Sequence, residues 1–157
     1  MIHGVLLDLE GVLYVSGYPL PGAREALLSL RAAGIPVRFI TNSTRLTRSA
    51  IVNRVANMGL EIPIQHLFTP AVAARQYLIA RRLTPHLLVH PEIQSEFADL
   101  MGAPPGAVLL GDAGPGFNYE ALNQCFRLLL DGLPLLAMGS NRYFRDRSGL
   151  NLDAGPF

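Results

Sequence analysis

Two carboxylates and a glycine at the end of an apolar run are the residues best suited to chemistry in this sequence. Val5 to Leu7 have the apolar character of a buried parallel strand, and Asp8, Glu10 and Gly11 follow it. Ligands of open α/β sheets bind beyond the carboxyl ends of the strands. An ideal strand places Asp8 and Glu10 on one face, and Gly11 lets the backbone turn sharply and approach a ligand. The sequence therefore predicts an acidic site at this strand end.

A hydroxyl and an amide follow the second apolar run. Thr41 and Asn42 come directly after residues 35–40, and a helical pattern begins a few residues later. A hydroxyl and free backbone N–H groups before a helix form an anion site. Helix capping is the ordinary alternative for such residues. The expected position of Asp8 at the end of an adjacent parallel strand favours the anion site.

These residues carry a family resemblance. The stretch Asp8-Leu9-Glu10-Gly11-Val12 resembles the first motif of the haloacid dehalogenase (HAD) superfamily, Asp-x-Asp-Gly-x, with Glu10 in place of the second Asp. The pair Leu13-Tyr14 that follows is typical of the NagD-like class, and Thr41-Asn42 resembles the second motif. Further matches are found at residues 118–123, 141–144, 149–150 and 152–157. The resemblance covers the full length of the chain. Within the family, the sequence looks closest to the phospholysine/phosphohistidine/inorganic pyrophosphate phosphatases and their near relatives.

The resemblance implies a Mg²⁺-dependent phosphatase that acts on a small phosphorylated substrate. In that family the first acid, here Asp8, takes the phosphoryl group as an aspartyl phosphate. The second acid, here Glu10, protonates the leaving group and later activates water. Asp8, and Glu10 through its backbone carbonyl, are also the implied metal ligands. Gly11, Thr41 and Asn42 are the implied substrate-binding residues.

The resemblance also implies motifs that this sequence lacks. The family carries a third motif with a Lys and a fourth with acids that complete the Mg²⁺ site, whereas the 13 basic residues here are all Arg. Both motifs follow the cap domain, and this chain stops where the core would resume. We therefore expect a truncated phosphatase with little or no turnover. An open edge at the first strand would favour self-association, so a homo-oligomer is a possible state.

The pattern of elements predicts an α/β fold. Apolar periodicity and turn residues predict strands at 5–7, 35–40, 67–69, 87–89, 107–110 and 133–138. They predict helices at 21–33, 47–58, 70–81, 92–101 and 119–131. The last helix is expected to turn one stripe inward, formed by Leu122, Cys125, Phe126, Leu129 and Leu130. We expect a loop at 15–20 and a turn-rich tail at 139–157.

The family resemblance divides this α/β chain into parts. Residues 1–75 are expected to form the N-terminal part of a HAD-type Rossmannoid core with a parallel sheet. Residues 76–152 are expected to form an α/β cap, and residues 153–157 the start of the return to the core.

Composition excludes several functional classes. The chain has 157 residues, of which 50% are hydrophobic and 16% charged, as in globular proteins. A net charge of +1 gives no reason to expect nucleic acid or a membrane surface as partner. The single cysteine, Cys125, suits a reducing compartment, and no run is long and apolar enough for a membrane span. We expect a cytoplasmic protein.

Two other functions stay open. A non-catalytic phosphoryl- or protein-binding module derived from such a phosphatase would not need the missing motifs. A receiver-like phospho-acceptor domain also uses an Asp and a Thr at strand ends, but it requires a Lys and does not explain the second half of the chain. The glycine-rich stretch 111–116 lacks the Gly-x-Gly-x-x-Gly spacing of dinucleotide-binding loops. We interpret it as a cap loop that at most selects the substrate.

Overall fold

The chain forms two compact units. The structure is a computed structural model that describes residues 2–146 and 149–157. Unit 1 contains Met1–Asn42 and Arg48–Thr69, and unit 2 contains Ser43–Thr47 and Pro70–Phe157. The division into a core at 1–75, a cap at 76–152 and a return segment at 153–157 stays a prediction. Of the predicted domains, residues 1, 147 and 148 lie outside the described residues.

Unit 1 is built around a parallel sheet. In chain order its elements are β1 (Val5–Asp8), β2 (Tyr14–Val15), β3 (Tyr18–Pro19), α1 (Ala23–Ala32), β4 (Val37–Ile40), α2 (Arg48–Ala56), a 3-10 helix (Ile64–His66) and β5 (Leu67–Phe68). Strands β1, β4 and β5 lie side by side in that order, and both pairings are parallel. The predicted α/β class is confirmed. The helices predicted at 21–33 and 47–58 and the strands predicted at 35–40 and 67–69 are shorter than predicted, whereas β1 extends one residue beyond the predicted 5–7.

The sheet of unit 1 is packed on one face. Phe39 pairs with Leu67 in the register, and both side chains are buried. The alternate positions face the other way, and among them Leu6 is 61% exposed and Phe68 is also exposed. Parallel sheets usually bury both faces. This sheet therefore presents apolar side chains to solvent.

The expectation of a loop at 15–20 is wrong, because part of it forms a hairpin. Strands β2 and β3 pair antiparallel, with Tyr14 opposite Pro19 and Val15 opposite Tyr18. The two residues between them have positive φ, 51° at Ser16 and 85° at Gly17. Two-residue hairpin loops favour this backbone, because its twist matches that of the strands.

Unit 2 has its own parallel sheet and a separate hairpin. Its elements are α3 (Pro70–Arg81), β6 (Pro85–Leu88), a 3-10 helix (Pro91–Leu100), β7 (Ala107–Leu110), a 3-10 turn (Gly114–Gly116), α4 (Tyr119–Leu130), β8 (Leu135–Ala137), β9 (Tyr143–Asp146) and β10 (Gly149–Leu152). The parallel order is β6-β7-β8, and β9 pairs antiparallel with β10. The predicted turn-rich tail thus contains a hairpin, and the predicted helix at 92–101 is a 3-10 helix.

Strand β7 lies at the centre of unit 2. Its neighbouring residues Val108 and Leu109 are both fully buried, although they point to opposite faces of the sheet. Leu109 belongs to a cluster with Phe97, and Val108 to a second cluster with Cys125. Full burial of such side chains stabilises a fold by roughly 1.5–3 kcal/mol each. The continuous apolar run at 107–110 reflects this double burial.

The predicted inner stripe of α4 is partly wrong. Cys125 is buried, and Leu122 and Leu129 pack against its cluster. Phe126 is 56% exposed and Leu130 is 70% exposed. These two residues are four apart and share a stripe of their own, which lies to one side of the buried face. The helix begins as predicted, because Asn118 Oδ1 accepts a hydrogen bond from the backbone N–H of Ala121 at 2.9 Å.

The described helices are short. The longest α-helices, α3 and α4, have 12 residues each. None in the described part of the chain has the length and apolar character needed to cross a membrane.

Candidate functional site

The carboxyl ends of β1 and β4 lie level in unit 1. The strands pair parallel with Asp8 opposite Ile40, and Thr41 and Asn42 follow Ile40. The backbone N–H of Thr41 donates to the Phe68 carbonyl at 3.3 Å, which continues the pairing toward β5. Neighbouring strands lie about 5 Å apart. The sheet therefore brings Asp8 and Thr41, which are distant in sequence, to one edge.

Both predicted acids are exposed. Leu9, between them, is fully buried, while Asp8 and Glu10 are open to solvent. The Leu9 N–H donates to Asp8 Oδ1 at 2.7 Å, which restrains the Asp8 carboxylate. No described residue donates to Asp8 Oδ2. One oxygen of Asp8 is thus available to attack or to bind a cation.

A tight turn after β1 positions Glu10. Gly11 has a φ of +90° and donates its N–H to the Tyr14 carbonyl at 2.7 Å. The Leu9 carbonyl accepts the Leu13 N–H at 2.9 Å. The Ser16 N–H donates to Glu10 Oε1 at 3.4 Å. The hairpin that follows therefore contacts the Glu10 carboxylate, and a side chain at Gly11 would force an unfavourable backbone conformation.

Tyr14 is a buried neighbour of the acids that the sequence analysis did not identify as a site residue. Its side chain is 5% exposed, and the Arg54 guanidinium carbon lies 5.7 Å from its ring centre. Burial raises the pKa of the Tyr14 phenol, and the charge of Glu10 raises this pKa further, while Arg54 acts in the opposite direction. Tyr14 therefore stays protonated at neutral pH. The Ser16-Gly17 pair between two short apolar segments was the available signal for this hairpin.

The predicted metal ligands provide the oxygen donors that Mg²⁺ prefers. Mg²⁺ is commonly bound by one or two carboxylates together with water and substrate phosphate. Asp8 supplies one exposed carboxylate, and Glu10 would contribute its backbone carbonyl oxygen, which meets that minimum. Among the described residues, no group of three or more His, Cys, Asp and Glu side chains could hold a metal ion.

Unit 2 contains a polar cluster that sequence reasoning missed. Asp112, at the end of β7, is 3% exposed, and its Oδ2 accepts from Arg45 Nε at 2.5 Å. Its Oδ1 accepts the Gly114 N–H at 2.9 Å, and its own N–H donates to Thr44 Oγ1 at 3.2 Å. An acid two residues after a buried strand was a signal, but its cation lies 67 residues earlier in the chain.

Sequence comparison identifies relatives. Residues 5–100 match the family of haloacid dehalogenase-like hydrolases. The chain is 40% identical over 156 residues to haloacid dehalogenase-like hydrolase domain-containing protein 2 of Mus musculus, covering 99% of this chain and 60% of that protein. It is 40% identical over 162 residues to the phospholysine phosphohistidine inorganic pyrophosphate phosphatase of Danio rerio, again with 99% and 60% coverage.

Solved structures agree with this relationship. A 4-nitrophenylphosphatase from Thermotoga maritima superposes with a TM-score of 0.90 at 26% identity, over 99% of this chain and 61% of that chain. NagD from the E. coli K-12 strain gives a TM-score of 0.87 at 22% identity, over 99% of this chain and 62% of that chain, and shares the fold. The chain thus spans about 60% of the length of the relatives that it matches. The protein belongs to the haloacid dehalogenase-like hydrolase family.

Proposed function

We propose that the protein carries out Mg²⁺-dependent hydrolysis of a small phosphorylated substrate through an aspartyl phosphate on Asp8. The observation that carries the proposal is the pair of level strand ends, with an exposed carboxylate at Asp8 beside the hydroxyl and amide of Thr41 and Asn42. The relatives named as phosphatases support it. The single cysteine supports a cytoplasmic location.

The chemistry follows from the two acids. A carboxylate oxygen of Asp8 attacks phosphorus, and the bond from phosphorus to the leaving-group oxygen breaks. Glu10 gives its proton to that oxygen. Glu10 then takes a proton from water, which attacks phosphorus and releases inorganic phosphate from Asp8. Thr41 and Asn42 hold the phosphoryl oxygens in this scheme. The N–H of Gly11, the third predicted substrate-binding residue, already donates to the Tyr14 carbonyl.

The metal would be held by the Asp8 carboxylate and the backbone carbonyl of Glu10. When bound, Mg²⁺ offsets the negative charge of the phosphoryl oxygens. Glu10 reaches one methylene farther than the Asp of the family motif, and the Ser16 N–H near its carboxylate limits its orientations. Because the longer side chain aims the transferred proton less well, we propose low turnover.

The alternative is a phosphoryl-binding module without turnover. One observation favours it, since Glu10 stands where the family motif has Asp, and the longer side chain alters the position of the acid/base group. Such a module would use Thr41 and Asn42 for the anion and would leave Asp8 unmodified.

The test measures phosphate release from 4-nitrophenyl phosphate with Mg²⁺, together with mass spectrometry of Asp8 after acid quenching. We expect slow release and a phosphoryl adduct on Asp8. Asp8→Asn should remove both, because it replaces the attacking oxygen. Glu10→Gln should lower the rate by about a hundredfold or more, as is usual when a general acid is lost.

Matched controls are two other exposed acids, which have no role in the proposed chemistry. Glu25→Gln on α1 and Asp99→Asn in unit 2 should leave the rate unchanged. Release that persists in Asp8→Asn would contradict the proposal. Folded protein that binds phosphate but shows neither release nor adduct would favour the binding module.

A further inference from the structure

We propose that unit 2 carries a second oxyanion site, formed by the side chains of Arg45 and His90 beside Gly114. Its ligand class is a carboxylate or phosphate group of a small molecule. All of its residues belong to unit 2, and the proposal does not rest on the chemistry proposed for Asp8.

The first element of the site is an arginine that the fold holds in place. Arg45 Nε donates to the buried Asp112 carboxylate at 2.5 Å, and the guanidinium carbon lies 4.4 Å from the ring centre of Phe144. The side chain of Arg45 is only partly exposed. Such anchoring lowers the conformational entropy that the side chain would lose on binding a ligand.

The guanidinium keeps donors for a ligand. Neither Nη1 nor Nη2 of Arg45 donates a hydrogen bond to a described residue. Each carboxylate oxygen of Asp112 already accepts a hydrogen bond, Oδ2 from Arg45 Nε and Oδ1 from the Gly114 N–H. A guanidinium binds carboxylate and phosphate with two parallel hydrogen bonds, so this edge suits an oxyanion.

His90 supplies a second donor near the same point. Its Nδ1 accepts the Glu92 N–H at 3.4 Å, which places the ring proton of the neutral side chain on Nε2. A Cβ built on Gly114 would lie 3.9 Å from His90 Cδ2, the atom bonded to Nε2, and 3.8 Å from Arg45 Nη2. Both side chains therefore approach the space above Gly114.

Gly114 leaves that space open. Its φ is +54°, a conformation that favours glycine, and it has no side chain to fill the gap between the two donors. An oxyanion can therefore approach the backbone closely. The charge of Arg45 is largely balanced by Asp112, so recognition would depend on directed hydrogen bonds, and we expect binding of order 1 mM.

The test follows amide and Arg Nε signals by ¹⁵N NMR during titration with inorganic phosphate and, separately, malonate. We expect saturable shifts at Arg45 Nε–H and at the Gly114 amide. Arg45→Gln should weaken this binding at least about tenfold, because charge-assisted hydrogen bonds are lost. Arg75→Gln, which alters another ion-paired Arg of unit 2, should have no effect.

Two further variants separate binding from local structure. His90→Asn keeps an acceptor for the Glu92 N–H and removes the Nε2 donor, so it should weaken binding. Gly114→Ala should block binding by placing a methyl group between the donors. Shifts seen with phosphate alone would indicate a phosphate site, and shifts with both probes a general oxyanion site.

The two proposed sites are distinguished within the same spectra. Signals of Thr41 and Asn42 report on the Asp8 site, and those of Gly114 on the unit 2 site. Gly114 shifts should persist in Asp8→Asn. Unchanged Gly114 and Arg45 signals at saturating probe, or equal binding by wild type and Arg45→Gln, would overturn the second site whatever happens at Asp8.

Discussion

The phenol of Tyr14 connects the candidate carboxylates to the interior of unit 1. Its ring is buried beside Arg54, and its backbone carbonyl receives the Gly11 N–H that closes the turn after β1. Burial and the charge of Glu10 both disfavour its ionised form, which raises its pKa. Tyr14 thus closes the turn through its backbone carbonyl and interacts electrostatically with Glu10 through its phenol.

We predict that this raised pKa makes stability fall in alkaline solution. In the unfolded chain the phenol ionises near pH 10. In the folded chain it keeps its proton to higher pH, so the unfolded state binds fewer protons and the free energy of unfolding decreases above about pH 10. One such group contributes a slope of at most about 1.4 kcal/mol per pH unit.

The measurement is urea unfolding from pH 8 to pH 11. Tyr14→Phe should remove part of the alkaline loss, because no phenol remains to ionise. Tyr18→Phe is the matched control, since Tyr18 lies on the same hairpin with an exposed ring. An identical alkaline loss in wild type and Tyr14→Phe would contradict the prediction.

The β2–β3 hairpin contacts the Glu10 carboxylate through the backbone N–H of Ser16. Its two-residue loop needs positive φ at Ser16 and Gly17, and its strands have two residues each. So short a hairpin depends on its turn and on packing. The geometry of residues 16–17 therefore influences the acid that precedes them.

We predict that Gly17→Ala destabilises the protein by about 1–2 kcal/mol, the usual cost of a positive φ for a residue with a Cβ. The free energy of unfolding measures this change. Gly139→Ala is the control, because a Cβ at Gly139 meets only ordinary contact, at 3.8 Å, and its φ is not in the left-handed region. Equal stabilities for the two variants would contradict the role of the turn.

Local signals predicted most elements of the fold. Gly34 ends α1 with a φ of 65°, and Asn118 caps α4, both as expected from their residue types. The exposed positions of α4 were mispredicted because Phe126 and Leu130 fit a helical period but pack on nothing that buries them. The pair of Arg45 and Asp112 could not be predicted, since no local pattern joins residues so far apart in sequence.

Across the molecule, the exposed apolar sheet face of unit 1 bears on its assembly. Leu6 and Phe68 are exposed, and β1 pairs only with β4 among the described strands. Apolar faces and open strand edges favour association. This face belongs to a chain that spans about 60% of the length of the relatives that it matches.

We predict concentration-dependent self-association that Leu6→Glu weakens. A charge at this exposed position disfavours contact between apolar faces, and it removes little packing within unit 1. Sedimentation velocity at increasing protein concentration measures the effect. Ile79→Glu, at an exposed apolar position of α3 in unit 2, should leave the association unchanged. A monomer at all concentrations for the wild type would contradict the prediction.

The segment Ser43–Thr47 belongs to unit 2, although unit 1 precedes and follows it in sequence. This arrangement limits the exchange of modules between related proteins. A graft of residues 70–157 alone would omit Thr44 and Arg45, and the buried Asp112 carboxylate would lose its cation. A functional chimaera must therefore take residues 43–47 and residues 70–157 from the same parent. Recombination between homologues preserves both units only when these two segments are exchanged together.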